Sequence, residues 1–202
     1  MKHFQKLTLI ALSLFVASCA SNVRNDVAVF HDLPAANGAS ISITALKEEN
    51  KDGIEFGQYA ILVATALEGQ GYEIKDGDSD LVATLDYSRS EGRDKMRSMH
   101  GGRADQRYWN SSLGFFWGYS DPFYRSPFDN RSDVMIMTVY AHELKLLIDD
   151  GDGKRVYEGT VIAENRSKEL AEMMPYLVEA MFTDFPGESG KTKHILIEKD
   201  KG

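Results

Sequence analysis

The chain of 202 residues holds one cysteine and five prolines, and no stretch of it reaches eighteen consecutive apolar residues. The single thiol, Cys19, excludes a disulfide within one copy and denies a cysteine-based zinc site its second ligand. Without a long apolar run there is no candidate for a permanently spanning helix. Basic residues are also in deficit: 23 Lys and Arg stand against 31 Asp and Glu, a net charge of −8, which argues against broad electrostatic binding of nucleic acid. What remains, with 43% hydrophobic and 10% aromatic residues, is a globular composition that can bury a core without staples.

Motifs for chemistry are scarce as well. No Gly-x-Ser-x-Gly elbow occurs, and the histidines beyond the N-terminal apolar run, His31, His100, His142 and His194, include no pair at the spacing of a helical zinc site. Gly187-Glu188-Ser189-Gly190-Lys191-Thr192 mimics the second half of a nucleotide-binding loop, but Phe185 stands where the first glycine belongs, and the segment follows a helix instead of opening one. Asp76, Asp78 and Asp80 alternate as a calcium loop begins, yet Leu81 replaces its glycine and Tyr87 its closing glutamate. Asp150 and Asp152 fail in the same way at Lys154, so both acidic clusters read as tight turns. The sequence therefore predicts no metal, no cofactor and no catalytic residue.

The N-terminus is more telling. Lys2 and Lys6 precede the apolar run Leu7 to Ala17, and small residues stand directly before Cys19, the layout of a secretory signal over 1–18. Phe15-Val16-Ala17-Ser18-Cys19 resembles a bacterial lipobox, where the cysteine thiol receives a lipid before the signal is removed. The resemblance implies a multiply acylated, palmitate-bearing Cys19, an anchor of more than one chain. The mature chain would carry 21 basic against 31 acidic side chains, a net of −10, and its body should stand off anionic headgroups beyond a tether over 19–25. Ala20 and Ser21 lack the aspartate that retains enterobacterial lipoproteins in the inner membrane, so the resemblance implies the periplasmic face of the outer membrane.

Alternation predicts strands over Asp26–Asp32 and Ala39–Leu46, separated by turn residues Pro34 to Gly38. Phe56, Tyr59, Ala60, Val63 and Leu67 fall on one face of a helix over Ile54–Glu68, with Gly71 as its stop. Strands follow at Tyr72–Lys75 and Ser79–Ser88, then a long strand at Asp133–Asp149 that turns through Asp150-Gly151-Asp152-Gly153 into Lys154–Ala163. Leu170, Met173, Met174, Leu177, Val178, Met181 and Phe182 stripe a second helix over Ser167–Asp184, capped by Ser167, stopped by Pro186, and kinked or started late by Pro175. His194–Glu198 closes as a strand. About seven strands and two helices predict an α+β fold, a two-layer α/β sandwich with both helices on one face of a mainly antiparallel sheet, in a single domain over 26–200.

Three passages resemble the bacterial lipoproteins gathered as domain-of-unknown-function family forty-one thirty-six. Leu67-Glu68-Gly69-Gln70-Gly71-Tyr72 leading to Ser79-Asp80-Leu81-Val82 is similar to that family's helix, Gly-Tyr and Ala-Asp-Leu passage. An aromatic, glycine-bearing insertion occupies the middle. Leu144, Leu146, Ile148 and Asp149 followed by Val156, Tyr157 and Gly159 resemble its hairpin, with Tyr157 where tryptophan is usual. The likeness implies fold and location and carries over no catalytic residue.

The insertion, 89–131, holds both tryptophans and a run of rings: Tyr108, Trp109, Phe115, Phe116, Trp117, Tyr119, Phe123, Tyr124 and Phe128. Eight Arg and Lys outweigh five acids there, +3 within an acidic body. A long loop rich in Trp, Tyr and Arg has the composition of a binding surface; the same rings could instead fold back as a satellite core. The reading is a non-enzymatic, outer-membrane-anchored periplasmic lipoprotein whose middle segment binds an envelope protein or glycan. Two alternatives stay open: an accessory subunit pairing through its sheet edge, and an envelope hydrolase whose site has no recognisable spacing.

Overall fold

A computed structural model describes residues 22–99 and 133–199. In chain order these form β1 (Asn22–His31), β2 (Ser40–Ala45), a 3₁₀ turn (Glu48–Asn50), α1 (Ile54–Gly69), β3 (Glu73–Ile74), β4 (Leu81–Arg89), β5 (Arg93–Met99), β6 (Asp133–Asp150), β7 (Arg155–Asn165), α2 (Leu170–Phe182) and β8 (Lys191–Glu198). They fall into two compact units, a larger one built from residues up to Glu91 and from Tyr140 onward, and a smaller one of Gly92–Val139. Cys19 and the ring-bearing stretch Tyr108 to Phe128 lie outside the described residues. In the smaller unit β5 pairs antiparallel with the first part of β6, Arg93 opposite Val139 and Met99 opposite Asp133. The expected insertion thus opens with a strand that alternation did not reveal.

The larger unit orders its strands β3-β2-β4-β6-β7-β1-β8. This sheet is mixed, where a mainly antiparallel one was expected: β2 runs parallel to both β3 and β4, and the remaining neighbours are antiparallel. The physical reason is α1. A helix between two strands carries the chain back to its starting end, so the second strand joins parallel to the first. The same logic governs β7, α2 and β8, with β1 slotted between the two strands.

Because β1 begins at Asn22, Asn22 to Asn25 belong to the sheet and not to the tether expected over 19–25. The pairing registers gather Asn22, Glu198, Asn165, Tyr140 and Arg89 at one end of the sheet, and His31, Arg155, Asp150 and Leu81 at the other. The chain leaves the larger unit after Glu91 and re-enters it at Tyr140.

Alternation decides which face is buried. Val23, Val27 and Val29 of β1, Val161 and Ala163 of β7, Leu144, Leu146 and Ile148 of β6, and Ala83 and Leu85 of β4 all point into one core. Phe56, Tyr59, Val63 and Leu67 of α1 and Met173, Met174, Leu177, Val178 and Met181 of α2 complete it. The helix ends follow their local chemistry. Gly71, at φ +91°, donates its N–H to Glu68 O (2.9 Å), and Tyr72 donates to Leu67 O (3.2 Å), a Schellman closure of α1. At α2 the expected cap moves: the helix starts at Leu170, and the Ser167 hydroxyl accepts the Glu169 N–H while donating to Glu172 Oε2 at 2.7 Å. The helix runs through Pro175.

The tightest packing is at Gly159. Tyr157, fully buried on the same strand, lays its ring along the sheet and donates its hydroxyl to Met181 Sδ at 3.4 Å. A Cβ at Gly159 would lie 2.5 Å from the Tyr157 hydroxyl and 2.7 Å from the Met181 sulfur. Gly159→Ala is therefore expected to cost about 1–3 kcal/mol by overpacking, lowering the melting temperature by about 2–4 °C per kcal/mol. Gly57→Ala, on α1 with nothing within 4 Å, should instead stabilise by about 0.5–1 kcal/mol through helix propensity. Parallel thermal melts of the two variants check both signs.

Candidate functional site

Gly71 and the turn after β1 together shape a cleft in the larger unit. Asn37 (φ +44°) and Gly38 (φ +76°) form a tight turn closed by Ala39 N–H to Ala36 O at 2.7 Å, and Gly38 N–H bonds Gly71 O. This turn sets Leu33, Pro34, Ala35 and Ala36 opposite Gln70 and Tyr72. Phe185 and Pro186, joined by a cis peptide, form the third wall of a cavity of about 260 Å³. Phe185 meets Tyr72 edge-on at 6.4 Å, stacks on Phe182 at 5.0 Å and lies 5.0 Å from Tyr157.

The side chains around it are apolar or aromatic apart from the Gln70 amide, with Tyr72 as the titratable group, while its exposed surface is polar and apolar in about equal parts. Burial pushes the Tyr72 phenol above its ordinary value, so it stays neutral. Such a cleft can hold an apolar or flat ring-bearing group. Among the described residues that line it there is no carboxylate, imidazole or amine side chain. From sequence, Gly71 and Pro186 read as stops and as family motifs; the signal for a cleft is that each breaker adjoins an aromatic residue, Tyr72 and Phe185.

The residues weighed from sequence have structural duties. Lys191 and Thr192 belong to β8, so the nucleotide-loop mimic enters a strand. Its polar groups have structural partners: the Gly190 N–H donates to Val29 O at 2.8 Å, the Ser189 hydroxyl accepts the His31 N–H at 2.9 Å, and Lys191 pairs with Glu188 at 2.6 Å. Asp80 Oδ2 accepts both the N–H (2.9 Å) and the hydroxyl (2.7 Å) of Ser40, and those bonds hold its carboxyl below the usual range. Asp150 Oδ1 accepts the N–H groups of Asp152 and Lys154, a turn stitch. Asp76 and Asp78 lie exposed in the loop between β3 and β4. Among the described residues no three His, Cys, Asp or Glu side chains converge as metal ligands.

The histidines scatter. His31 Nε2 bonds Gly187 O at 3.1 Å, His194 pairs with Asp26 at 2.5 Å on the exposed sheet face, and His100 lies outside the described residues. His142 differs because it is fully buried on β6. Its Nε2–H donates to Ser167 O at 2.9 Å, holding the approach to α2, while Nδ1 has no partner among the described residues. One strand beyond Ala163 in the same row stands Asn25, equally buried, with Nδ2 donating to Val23 O and Oδ1 unpartnered among the described residues.

With this geometry in hand, comparison with known proteins assigns the chain. The profile of the family described as Domain of unknown function (DUF4136) matches residues 35–187. The chain belongs to that family. The DUF4136 span covers β2 through α2 and the cleft except Leu33 and Pro34, and leaves β1 and β8 outside. No curated protein matches the chain. Among solved structures it is similar to a PDZ domain protein from Parabacteroides distasonis, at 12% identity and TM-score 0.51, over 93% of this chain and 42% of that one. It thus spans less than half of that protein's length, and the likeness concerns the fold alone. It is also similar to the PelC dodecamer of Paraburkholderia phytofirmans, at 10% identity and TM-score 0.41, over 82% of this chain and 99% of that one.

Burial holds the His142 imidazole below its ordinary value; the Ser167 bond opposes this, and Arg89 adds to it. The unfolded chain, with an ordinary histidine near pKa about 6.5, then binds more protons than the folded one just below that pH. Stability contributed by neutral His142 is complete above about pH 6.5 and is lost as pH falls toward the lowered folded value. In His142→Gln, which keeps a donor toward Ser167 O, this part of the slope should vanish. Urea midpoints of both proteins between about pH 7.5 and 5 read it out.

Proposed function

We propose that this DUF4136 protein is a lipid-anchored, non-enzymatic lipoprotein of the outer membrane's periplasmic face that binds an envelope protein or glycan through its middle segment. The observation that carries the reading is compositional. Nine aromatic residues crowd between Tyr108 and Phe128, and the segment 89–131 is +3 inside an acidic chain. Trp, Tyr and Arg concentrate binding energy at interfaces, and aromatic rings also stack on sugars. The lipobox-like run before Cys19 supports the anchor.

The architecture is read as two-layered, with α1 and α2 together on the buried face of the larger unit's sheet. In support, the helices contact each other, and α2 also contacts β1, β7 and β8. On the opposite sheet face Phe30, Ile162 and Leu196 are exposed among the described residues. The accessory-subunit alternative would use the outer edge of β8.

Two variants test the reading together. Cys19→Ser should release the protein from the outer-membrane fraction; retention after a salt wash would remove the anchor. Replacing Trp109, Trp117 and Tyr119 by alanine in the anchored protein should abolish in-cell crosslinks from the middle segment. The change in stability should stay below about 0.5 kcal/mol, as for exposed positions. A fall in melting temperature of several degrees, with crosslinks lost only in proportion to unfolding, would make the segment part of a core.

A further inference from the structure

We infer that the larger unit stands on the bilayer by the end of the sheet where β1 begins, with the lipid surface as the partner of that end and the aromatic cleft directed away from it. The inference rests on Cys19 being the anchor, as proposed above, and adds to it an orientation.

The leash is short. Only Ala20 and Ser21 separate Cys19 from Asn22, the first residue of β1. Three extended residue steps reach at most about 10–11 Å. The strand at the end of this leash is fixed in the sheet: Asn22 lies opposite Glu198, and from Asn25 onward β1 is also paired with β7. A lipid at Cys19 therefore holds Asn22, and with it Glu198, Asn165, Tyr140 and Arg89, close to the headgroups.

The strand also sets how far the other end lies. Ten residues of β1 at about 3.3 Å each span about 33 Å. His31 closes that span, and the cleft residues Leu33 and Pro34 follow directly. Charge selects the upright pose over one lying flat. The mature chain carries 21 basic against 31 acidic side chains, and anionic headgroups repel such a body over a Debye length of about 8 Å. Contact through one end exposes the least of it to that repulsion. The acidic balance and the short leash thus act together, one holding the end down and the other keeping the rest away.

The test uses the full acylated protein in phosphatidylethanolamine and phosphatidylglycerol vesicles whose headgroups carry an energy acceptor. Once Cys19 bears lipid, an introduced cysteine is the sole free thiol, so one donor dye labels a chosen end. Lys168→Cys, exposed beside Asn165, marks the near end, and Asp152→Cys, exposed in the β6–β7 turn, marks the far end. Transfer should be several-fold stronger from position 168 than from 152. Inserting about twenty Gly and Ser residues after Ser21 lengthens the leash as a flexible coil and should erase the difference, with melting temperatures unchanged. Equal or reversed transfer in an acylated chain, or a difference that survives the insertion, overturns the orientation and leaves the anchor intact. An N-terminal fragment without acyl mass overturns the anchor and the orientation with it.

Discussion

Everything in the larger unit depends on β1 being paired on both edges. Its residues 25–29 lie between β7 on one side and β8 on the other. Without β1 the final strand has no neighbour, and Val23, Val27 and Val29 leave the core. Each buried valine is worth about 1.5–3 kcal/mol relative to exposure, a large share of the net stability of an ordinary domain. The strand nearest the lipobox-like cysteine is thus among the most constrained in the molecule. An anchor at Cys19, as proposed, would be separated by only two residues of sequence from the first residue of the sheet.

That constraint also distributes possible work between the two ends. At the end beyond His31, the Schellman closure of α1 and the Asn37-Gly38 turn build a cleft from backbone geometry, and Tyr72, Phe185 and two prolines contribute the apolar half of its surface. Near the other end, buried polar groups take over: His142 ties the segment before α2 to β6, and Asn25 shares its row. The unpartnered Nδ1 and Oδ1 each carry a desolvation cost of about 1–3 kcal/mol, which the surrounding core must offset.

Much of this was legible in the residues where one face is buried. The α1 stripe, the long β6 strand and the Asp150 to Gly153 turn follow their expected positions within a few residues, because burial of one face imposes a period. The strand β5 was not legible for the converse reason. Residues Arg93 to Met96 are all exposed, and Met96 lies opposite the exposed Ile136, so β5 has no buried face to imprint an alternation of its own. The parallel pairing of β2 with β4 was implicit in the strand, helix, strand order, but alternation alone does not specify direction. The cleft escaped because it is assembled from helix stops and a turn, whose residues signal interruption and not contact.

The account's central claim is that the chain is held in the sheet almost from Cys19 onward. Amide hydrogen exchange of β1 in the full-length protein tests it most directly. The amides of residues 25–29 should be protected to nearly the same free energy as the interior of β7, since β1 opens only when the sheet does. Exchange of residues 22–29 at the rate of an unstructured chain, with β7 still protected, would restore a flexible tether and contradict the account.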